Sequence, residues 1–313
     1  MPPAVPHAVE PTLAPGLVVA ALTTFRGDSV RVDQARLADQ VTAVAGYAPS
    51  AISVGAVESQ EFQVLARRTR LAMLDTVVAA APGVPVVAGV SSPSLAESIA
   101  LTREAARRGA SLALAVASPK PWGAAPTPDE AHRWFSLLAD ASPIPLMLYN
   151  NPRLGVDLSV DTMARICSHP QVAGIKETSR DEAKLLGLIA RVAEHAAVFT
   201  NMEMLLATLV LGGAGAMLPT PGVPIAARIV AAVRDGDHRR AAADALFFAD
   251  FPSRWNGLGF LPAVKAAAAL MGCDLGGPLW PWSGLDETAR ADLAAHLAKW
   301  DLLDHFATKD APR

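Results

Sequence analysis

Eight short apolar segments recur along the chain, and a longer segment with helical periodicity follows each of them. The apolar segments are residues 17–22, 51–54, 84–89, 111–116, 144–148, 172–175, 198–200 and 215–218. Nearly continuous apolar strands are typical of a parallel sheet that is covered on both faces. Eight strand–helix units within about 220 residues therefore predict a closed (β/α)8 TIM barrel rather than an open doubly wound sheet.

This prediction divides the chain of 313 residues into three regions. Residues 1–16 are rich in proline and are expected to form a flexible tail. Residues 17–235 form the predicted barrel, and residues 236–313 are predicted to be a C-terminal helical region. That last region is assigned from three further helical segments at 238–249, 261–271 and 286–300. A hydrophobic fraction of 51% is sufficient for the large core that such a barrel requires.

Composition argues against several classes of function. A net charge of −3 gives no indication of a surface for nucleic acid or for an anionic membrane, so neither partner is expected. The most apolar stretch is interrupted by proline and glycine at 82–85, so no membrane-spanning segment is expected. The N-terminus lacks the charged start of a signal peptide, and two distant cysteines, Cys167 and Cys273, indicate a reducing cytoplasm. The seven histidines show no metal-ligand spacing, so no metal site is expected.

Two of the predicted strands are followed at once by a reactive side chain. Tyr149 comes after segment 144–148, and Lys176 comes after segment 172–175. A strand–helix–strand connection joins parallel neighbours, so both side chains are expected at the same edge of the sheet. Burial lowers the pKa of a lysine and favours the neutral amine, which is the form that condenses with a ketone. Each residue alone could instead be structural, with the Tyr149 hydroxyl in water and Lys176 paired with Glu177.

The segments YNNP at 149–152 and GIKETS at 174–179 resemble the two active-site segments of the dihydrodipicolinate synthase and N-acetylneuraminate lyase family. The resemblance extends from the first predicted strand to the last predicted helix. It implies that Lys176 forms a Schiff base with a 2-oxo acid, usually pyruvate, and that Tyr149 moves protons. It also implies a class I aldolase or lyase that binds a 2-oxo acid and an aldehyde, and a homo-oligomer, either a dimer or a tetramer.

The loop after the second predicted strand departs from the pattern of this family. The family typically has glycine, two threonines, glycine and glutamate there, and the threonines hold the substrate carboxylate. This chain reads GAVESQE at 55–61. If Gly55 sets the register, Ala56 and Val57 replace the threonines. If the start of the following helix sets it, Glu58 and Ser59 replace them, and this second register is preferred because it needs no gap at that helix.

In the second register Ser59 holds the substrate carboxylate. Glu58 lies near the substrate, or it is only a favourable charge at a helix N-terminus. By the same resemblance, the backbone at Met217 contacts the 2-oxo acid carboxylate. Arg153 either binds a second carboxylate of the substrate or is a solvated loop residue.

Lysine-biosynthetic members of the family have a further tyrosine after the fourth strand, where this chain reads SPKPW at 118–122. Trp122 in this loop either lines the mouth of the barrel or has only a packing role. A carboxylate at Glu58 should repel an acidic second substrate such as aspartate semialdehyde. The sequence therefore predicts a 2-oxo-acid lyase that uses a non-acidic aldehyde. The alternative is a non-catalytic 2-oxo-acid-binding or regulatory protein on the same scaffold, since a barrel alone defines no function.

Overall fold

The computed structural model describes residues 13–27, 30–117, 119–120 and 123–307. Within them, eight parallel strands form a closed barrel in the order of the sequence, which confirms the predicted (β/α)8 fold. The strands are β1 (Gly16–Ala20), β2 (Ala51–Val54), β3 (Val86–Gly89), β4 (Leu112–Val116), β5 (Leu146–Asn150), β6 (Val172–Glu177), β7 (Ala197–Thr200) and β8 (Gly215–Pro219). The expected tail lies mostly outside the described residues, as does Trp122.

One helix follows each strand and packs its apolar face on the outside of the barrel. These helices are α1 (Gln34–Ala45), α2 (Arg67–Ala80), α3 (Leu95–Arg107), α4 (Pro128–Asp140), α5 (Val160–Cys167), α6 (Glu182–Val192), α7 (Leu205–Val210) and α8 (Val223–Arg234). Several begin at a side chain that accepts a hydrogen bond from a free amide of the first turn; Ser94 and Thr127 do so for α3 and α4.

The helical pattern of the sequence at 62–81 predicts a longer helix after the β2 loop than the structure contains. The α-helix begins only at Arg67, and two 3₁₀ turns precede it, at Glu58–Gln60 and Phe62–Val64. Between these turns Glu61 has a φ of 54°, a left-handed conformation that cannot continue an α-helix. The loop at the mouth of the barrel is therefore longer than the sequence indicated.

The C-terminal helices pack against the barrel and share a core with it. They are α9 (His238–Ala245), α10 (Phe247–Asp250), α11 (Phe260–Leu270) and α12 (Glu287–Ala298), so the predicted helix at 238–249 is divided into two. Leu22 and Leu218 of the barrel belong to the same buried cluster as Phe247, Val264 and Leu297 of the appendage. Helix α11 is thereby held beside the mouth.

The loop after β2 crosses β3 at Gly89 without space between them. A Cβ atom on Gly89 would lie 1.8 Å from the carbonyl oxygen of Gly55 and 2.4 Å from the Cα of Ala56. Both of these are backbone atoms, which cannot move away as a flexible side chain could. The close approach holds the start of the loop against the barrel.

We expect Gly89→Ala to destabilise the fold, because the added methyl group must displace the backbone of this loop. The free energy of unfolding should fall by about 1–3 kcal/mol or more, as for other overpacked sites. Gly257→Ala is the matched control, since a Cβ atom there meets nothing within 4 Å; its effect should stay within about 0.5 kcal/mol. Urea unfolding of both variants measures the difference, and equal stabilities would contradict the expectation.

Candidate active site

Tyr149 and Lys176 lie side by side inside the mouth of the barrel. Strands β5 and β6 extend two residues beyond their predicted ends, so both residues are part of the sheet and pair in register with each other. Their neighbours Leu148 and Ile175 belong to the core between strands and helices, and alternation along each strand directs Tyr149 and Lys176 inward. The Nζ atom of Lys176 lies 5.0 Å from the centre of the Tyr149 ring.

The side chain of Lys176 is buried, and its amine has no hydrogen-bond partner among the described residues. The residue is 6% exposed. Burial lowers the pKa of Lys176 to about 8, while the carboxylates of Glu58 and Glu203 oppose this effect. About one amine in ten is therefore neutral at pH 7, against fewer than about one in a thousand for an ordinary lysine. Lys176 can act as a nucleophile near neutral pH.

The structural alternative for Lys176, a pair with Glu177, is wrong. Glu177 is buried on the other side of β6, where its Oε2 accepts a hydrogen bond of 2.8 Å from Asn150. Its Oε1 accepts a hydrogen bond of 2.6 Å from the amide of Ser179. The carboxylate is thus engaged in holding the chain after β5 and β6, and it leaves the Lys176 amine free.

The hydroxyl of Tyr149 is held by the loop that follows it. Tyr149 is 1% exposed, and the side-chain amide of Asn151 donates a hydrogen bond of 2.7 Å to the hydroxyl. Asn151 also donates to the carboxylate of Glu58. Burial, followed by the charge of Glu58, raises the pKa of Tyr149 above its ordinary value. The phenol is therefore protonated, and its oxygen has a fixed position from which a proton can be exchanged.

All six residues that the sequence indicated for the site line one cavity at the mouth of the barrel. These are Lys176, Tyr149, Glu58, Ser59, Met217 and Arg153. Arg153 forms an ion pair with Glu58 at 3.7 Å, on the rim, where its side chain is 57% exposed. The cavity is lined by both polar and apolar side chains.

The side chain of Gln60 determines which part of the β2 loop reaches this cavity. Its Oε1 accepts hydrogen bonds from the amides of Ala56 (2.8 Å) and Val57 (3.1 Å), and its Nε2 donates to the carbonyl of Ala21 at 2.8 Å. Ala56 is fully buried away from the cavity, whereas Val57 and the following Glu58 and Ser59 form part of its wall. The wall thus includes Glu58 and Ser59, the two residues of the second register, and also Val57, one of the two residues of the first.

The sequence analysis missed a polar group that follows β7. Asn201 is 8% exposed, and neither atom of its amide has a hydrogen-bond partner within the described chain. Nearby, Glu203 forms an ion pair with Arg180, while its Oε2 is buried without a partner. All three residues line the cavity. Buried polar atoms without partners are unusual and mark groups available to a ligand. The signal was a polar residue directly after an apolar run, as at Tyr149.

The fold and the site together define a class: a (β/α)8-barrel enzyme with a buried, partly neutral lysine at the carboxyl ends of its strands, where such barrels carry their active sites. The chain belongs to the dihydrodipicolinate synthetase family, whose model matches residues 14–300. It is accordingly a lyase of the dihydrodipicolinate synthase-like type.

Known relatives agree with this assignment. A 4-hydroxy-tetrahydrodipicolinate synthase of Acidiphilium cryptum is 33% identical over 241 residues, which cover 73% of this chain and 78% of the relative. The structure of YagE, a prophage protein of this family from E. coli K12 in complex with pyruvate, has a TM-score of 0.84 at 27% identity and covers 92% of this chain and 99% of YagE. Dihydrodipicolinate synthase from Acinetobacter baumannii complexed with pyruvate has a TM-score of 0.84 at 25% identity and covers 93% of this chain and all 100% of its own.

Among the described residues, no helix has both the length and the apolar composition needed to cross a membrane.

We expect Lys176→Met to stabilise the protein at pH 7, because the buried amine is charged there in most molecules. A pKa lowered from 10.5 to about 8 corresponds to a penalty on the order of 3 kcal/mol. The penalty is complete below about pH 8 and disappears as the pH rises toward the unfolded pKa. The gain in unfolding free energy should therefore be large at pH 7 and much smaller at pH 10. Lys299→Met, at an exposed lysine, should change stability little at either pH; no gain in the Lys176 variant would contradict the reasoning.

Proposed function

We propose that this protein is a class I aldolase or lyase that activates pyruvate, or a related 2-oxo acid, as a Schiff base on Lys176. The observation that carries the proposal is the position of the Lys176 amine, which is buried, partly neutral and in contact with the Tyr149 ring. An amine of this kind attacks a ketone at a pH where an ordinary lysine is protonated. No metal or organic cofactor is required for this chemistry.

The reaction begins when the neutral amine adds to the keto carbon and forms a carbinolamine. Loss of water then gives a protonated imine, which withdraws electrons from the neighbouring carbon. In the cleavage direction a C–C bond breaks, an aldehyde leaves and the electron pair remains as an enamine; in the other direction the enamine attacks an aldehyde. Tyr149 supplies or removes the proton at the aldehyde oxygen, since its hydroxyl is protonated and fixed by Asn151. In the cleavage direction the enamine carbon takes up a proton and becomes an imine. Hydrolysis of the imine then releases the 2-oxo acid and returns the amine.

Ser59 and the backbone at Met217 hold the carboxylate of the 2-oxo acid in this proposal. Both lie in the wall of the cavity that contains Lys176. Pyruvate is the preferred 2-oxo acid because two solved structures similar to this chain are complexes with pyruvate.

The second substrate is proposed to be a non-acidic aldehyde. Arg153 and Arg180 are the cations of the cavity wall besides Lys176, and both are engaged: Arg153 with Glu58 and Arg180 with Glu203. A substrate carboxylate would therefore meet two carboxylates and no free guanidinium group. This specificity differs from that expected of a lysine-biosynthetic enzyme, although the curated relatives carry the name 4-hydroxy-tetrahydrodipicolinate synthase.

The family resemblance further supports a cytoplasmic homo-oligomer, a dimer or a tetramer, as the working form. Cys167 and Cys273 are both buried free thiols, in agreement with a reducing compartment. Light scattering coupled to size-exclusion chromatography measures the number of subunits.

Incubation with pyruvate and borohydride should add one adduct per chain, on Lys176. Its rate of formation should rise with pH up to about 8 and then level off, because the neutral amine is the reacting form. Peptide mass mapping identifies the modified residue, and Lys176→Met should give no adduct. An adduct on another lysine, or none with any 2-oxo acid, would reject the proposed chemistry.

Tyr149→Phe separates a catalytic role of the hydroxyl from a structural one. The variant should still form the Lys176 adduct, while steady-state aldol turnover falls by roughly 10²–10⁴-fold, as for other lost general acid–base groups. A loss below about threefold would assign the proton transfer to water or to another group. Adduct formation without turnover of any aldehyde in the native protein would instead favour the non-catalytic, 2-oxo-acid-binding alternative.

Condensation of pyruvate with aspartate semialdehyde should be very slow, and Glu58→Thr should accelerate it. The substitution removes one carboxylate and frees Arg153 to bind the carboxylate of the aldehyde. Like-charge contacts in a closed pocket amount to several kcal/mol, which corresponds to orders of magnitude in rate. The double variant Glu58→Thr/Arg153→Met is the control and should lose most of the gain. Efficient condensation by the native enzyme would overturn the proposed specificity.

A further inference from the structure

We propose that Glu61 and Lys265 form a positioning pair, through which the C-terminal helical region sets the position of Glu58 and Ser59 in the active site. Neither residue of the pair lines the cavity, so both act through the loop rather than on the substrate. The proposal rests on the function proposed above for the role of Ser59. Its structural part, the control of the loop by helix α11, can be tested independently of activity.

Glu61 lies at the point where the mouth loop meets the helical region. Its Oε2 accepts a hydrogen bond of 2.8 Å from Nζ of Lys265, and its Oε1 accepts one of 3.1 Å from the amide of Leu279. The side chains of Glu61 and Lys265 are only 6% and 1% exposed. Both carboxylate oxygens are thus engaged by the C-terminal region, about 200 residues away in the sequence.

The ammonium group of Lys265 contacts several parts of the chain at once. This lysine belongs to α11, and its ammonium group donates a second hydrogen bond, of 3.1 Å, to the carbonyl of Gly277. The same group lies 4.6 Å from the centre of the Phe25 ring, which follows β1. The ammonium therefore joins the mouth loop, α11, the segment at 277–279 and the start of the barrel in one buried contact.

The backbone transmits this contact to the site. The amide of Glu61 donates a hydrogen bond of 2.9 Å to the carbonyl of Glu58, which closes a tight turn around Ser59. Glu61 has a positive φ of 54°. Residues other than glycine keep such a conformation only where their surroundings impose it. On the other side of the turn, Val57 is held by Gln60, so Glu58 and Ser59 lie between two anchored points.

A purely stabilising role does not account for a charged pair at this place. Two buried charges lose their hydration, and an apolar pair of similar volume often gives equal or greater stability. An apolar pair could not fix the orientation of residue 61, because only a carboxylate can bind the Lys265 ammonium and the Leu279 amide at the same time. Helix α11 also contributes Phe260 to the cavity wall. The position of this helix therefore affects the shape of the pocket.

Lys265→Met should loosen the loop and weaken the binding of pyruvate. Without the ammonium, the Glu61 carboxylate is expected to move toward water and to take the turn around Ser59 with it. The pyruvate concentration that gives half-maximal borohydride trapping should rise about tenfold, as for one lost hydrogen bond to a charged group. Deuterium exchange of the amides at 56–65 should become faster. The limiting rate of trapping at saturating pyruvate should change less than the half-saturation value.

Arg228→Met is the matched control. Arg228 and Asp244 form another ion pair between the barrel and the helical region, from α8 to α9, and neither lines the cavity. Its loss should leave the pyruvate half-saturation and the exchange of 56–65 unchanged. The double variant Glu61→Leu/Lys265→Met removes both buried charges and should recover global stability while the loop stays loose. If Lys265→Met does not fold, this double variant tests the proposal in its place.

The proposal is overturned if either Glu61–Lys265 variant folds and keeps the native pyruvate half-saturation and the native loop exchange. It is also overturned if Arg228→Met has the same effects, because the role would then be general docking of the helices. Native protein that gives no adduct with any 2-oxo acid rejects the proposed function instead. In that case the deuterium exchange of the amides at 56–65 is the test of the positioning pair, since this measurement requires no substrate.

Discussion

The burial of the Lys176 amine in the mouth of the barrel is the constraint on which the surrounding core and the nearby carboxylates depend. Lys176 has no hydrogen-bond partner in the described chain, and its burial lowers its pKa to about 8. Such a group destabilises the folded protein at neutral pH and survives only because a large core supports it. The shared core of barrel and appendage supplies that support. Glu58 and Glu203 limit the fall of the Lys176 pKa, so the amine titrates near neutral pH rather than far below it.

The C-terminal helical region contributes to the candidate active site as well as to the core. Helix α11 places Phe260 in the cavity wall and Lys265 beneath the mouth loop. The loop carries Glu58 and Ser59, and its path differs from a simple helix start because Glu61 turns toward that region. The barrel strands thus position Lys176 and Tyr149, whereas the appendage positions the part of the pocket that faces the substrate carboxylate in the proposed function.

Charge pairing at the rim is the physical basis of the proposed specificity. The two arginines of the wall are each neutralised by a carboxylate, Arg153 by Glu58 and Arg180 by Glu203. A pocket of this kind offers a second acid no unpaired arginine, and it presents hydrogen-bonding groups such as the amide of Asn201, which has no partner among the described residues. In the proposed function, the scaffold and Lys176 are therefore retained while the aldehyde that reacts with the enamine changes.

The sequence by itself determined the barrel and the two reactive positions. Alternating apolar and amphipathic segments report the periods of buried strands and packed helices, and the crossover rule then requires Tyr149 and Lys176 to be neighbours. Only the tertiary structure decided how the mouth loop runs, that Asn201 faces the cavity, and that Glu61 meets Lys265. Strands are specified by local hydrophobic pattern. Loop conformation depends on contacts between residues distant in the sequence, and those contacts exist only once the barrel and its appendage have packed together.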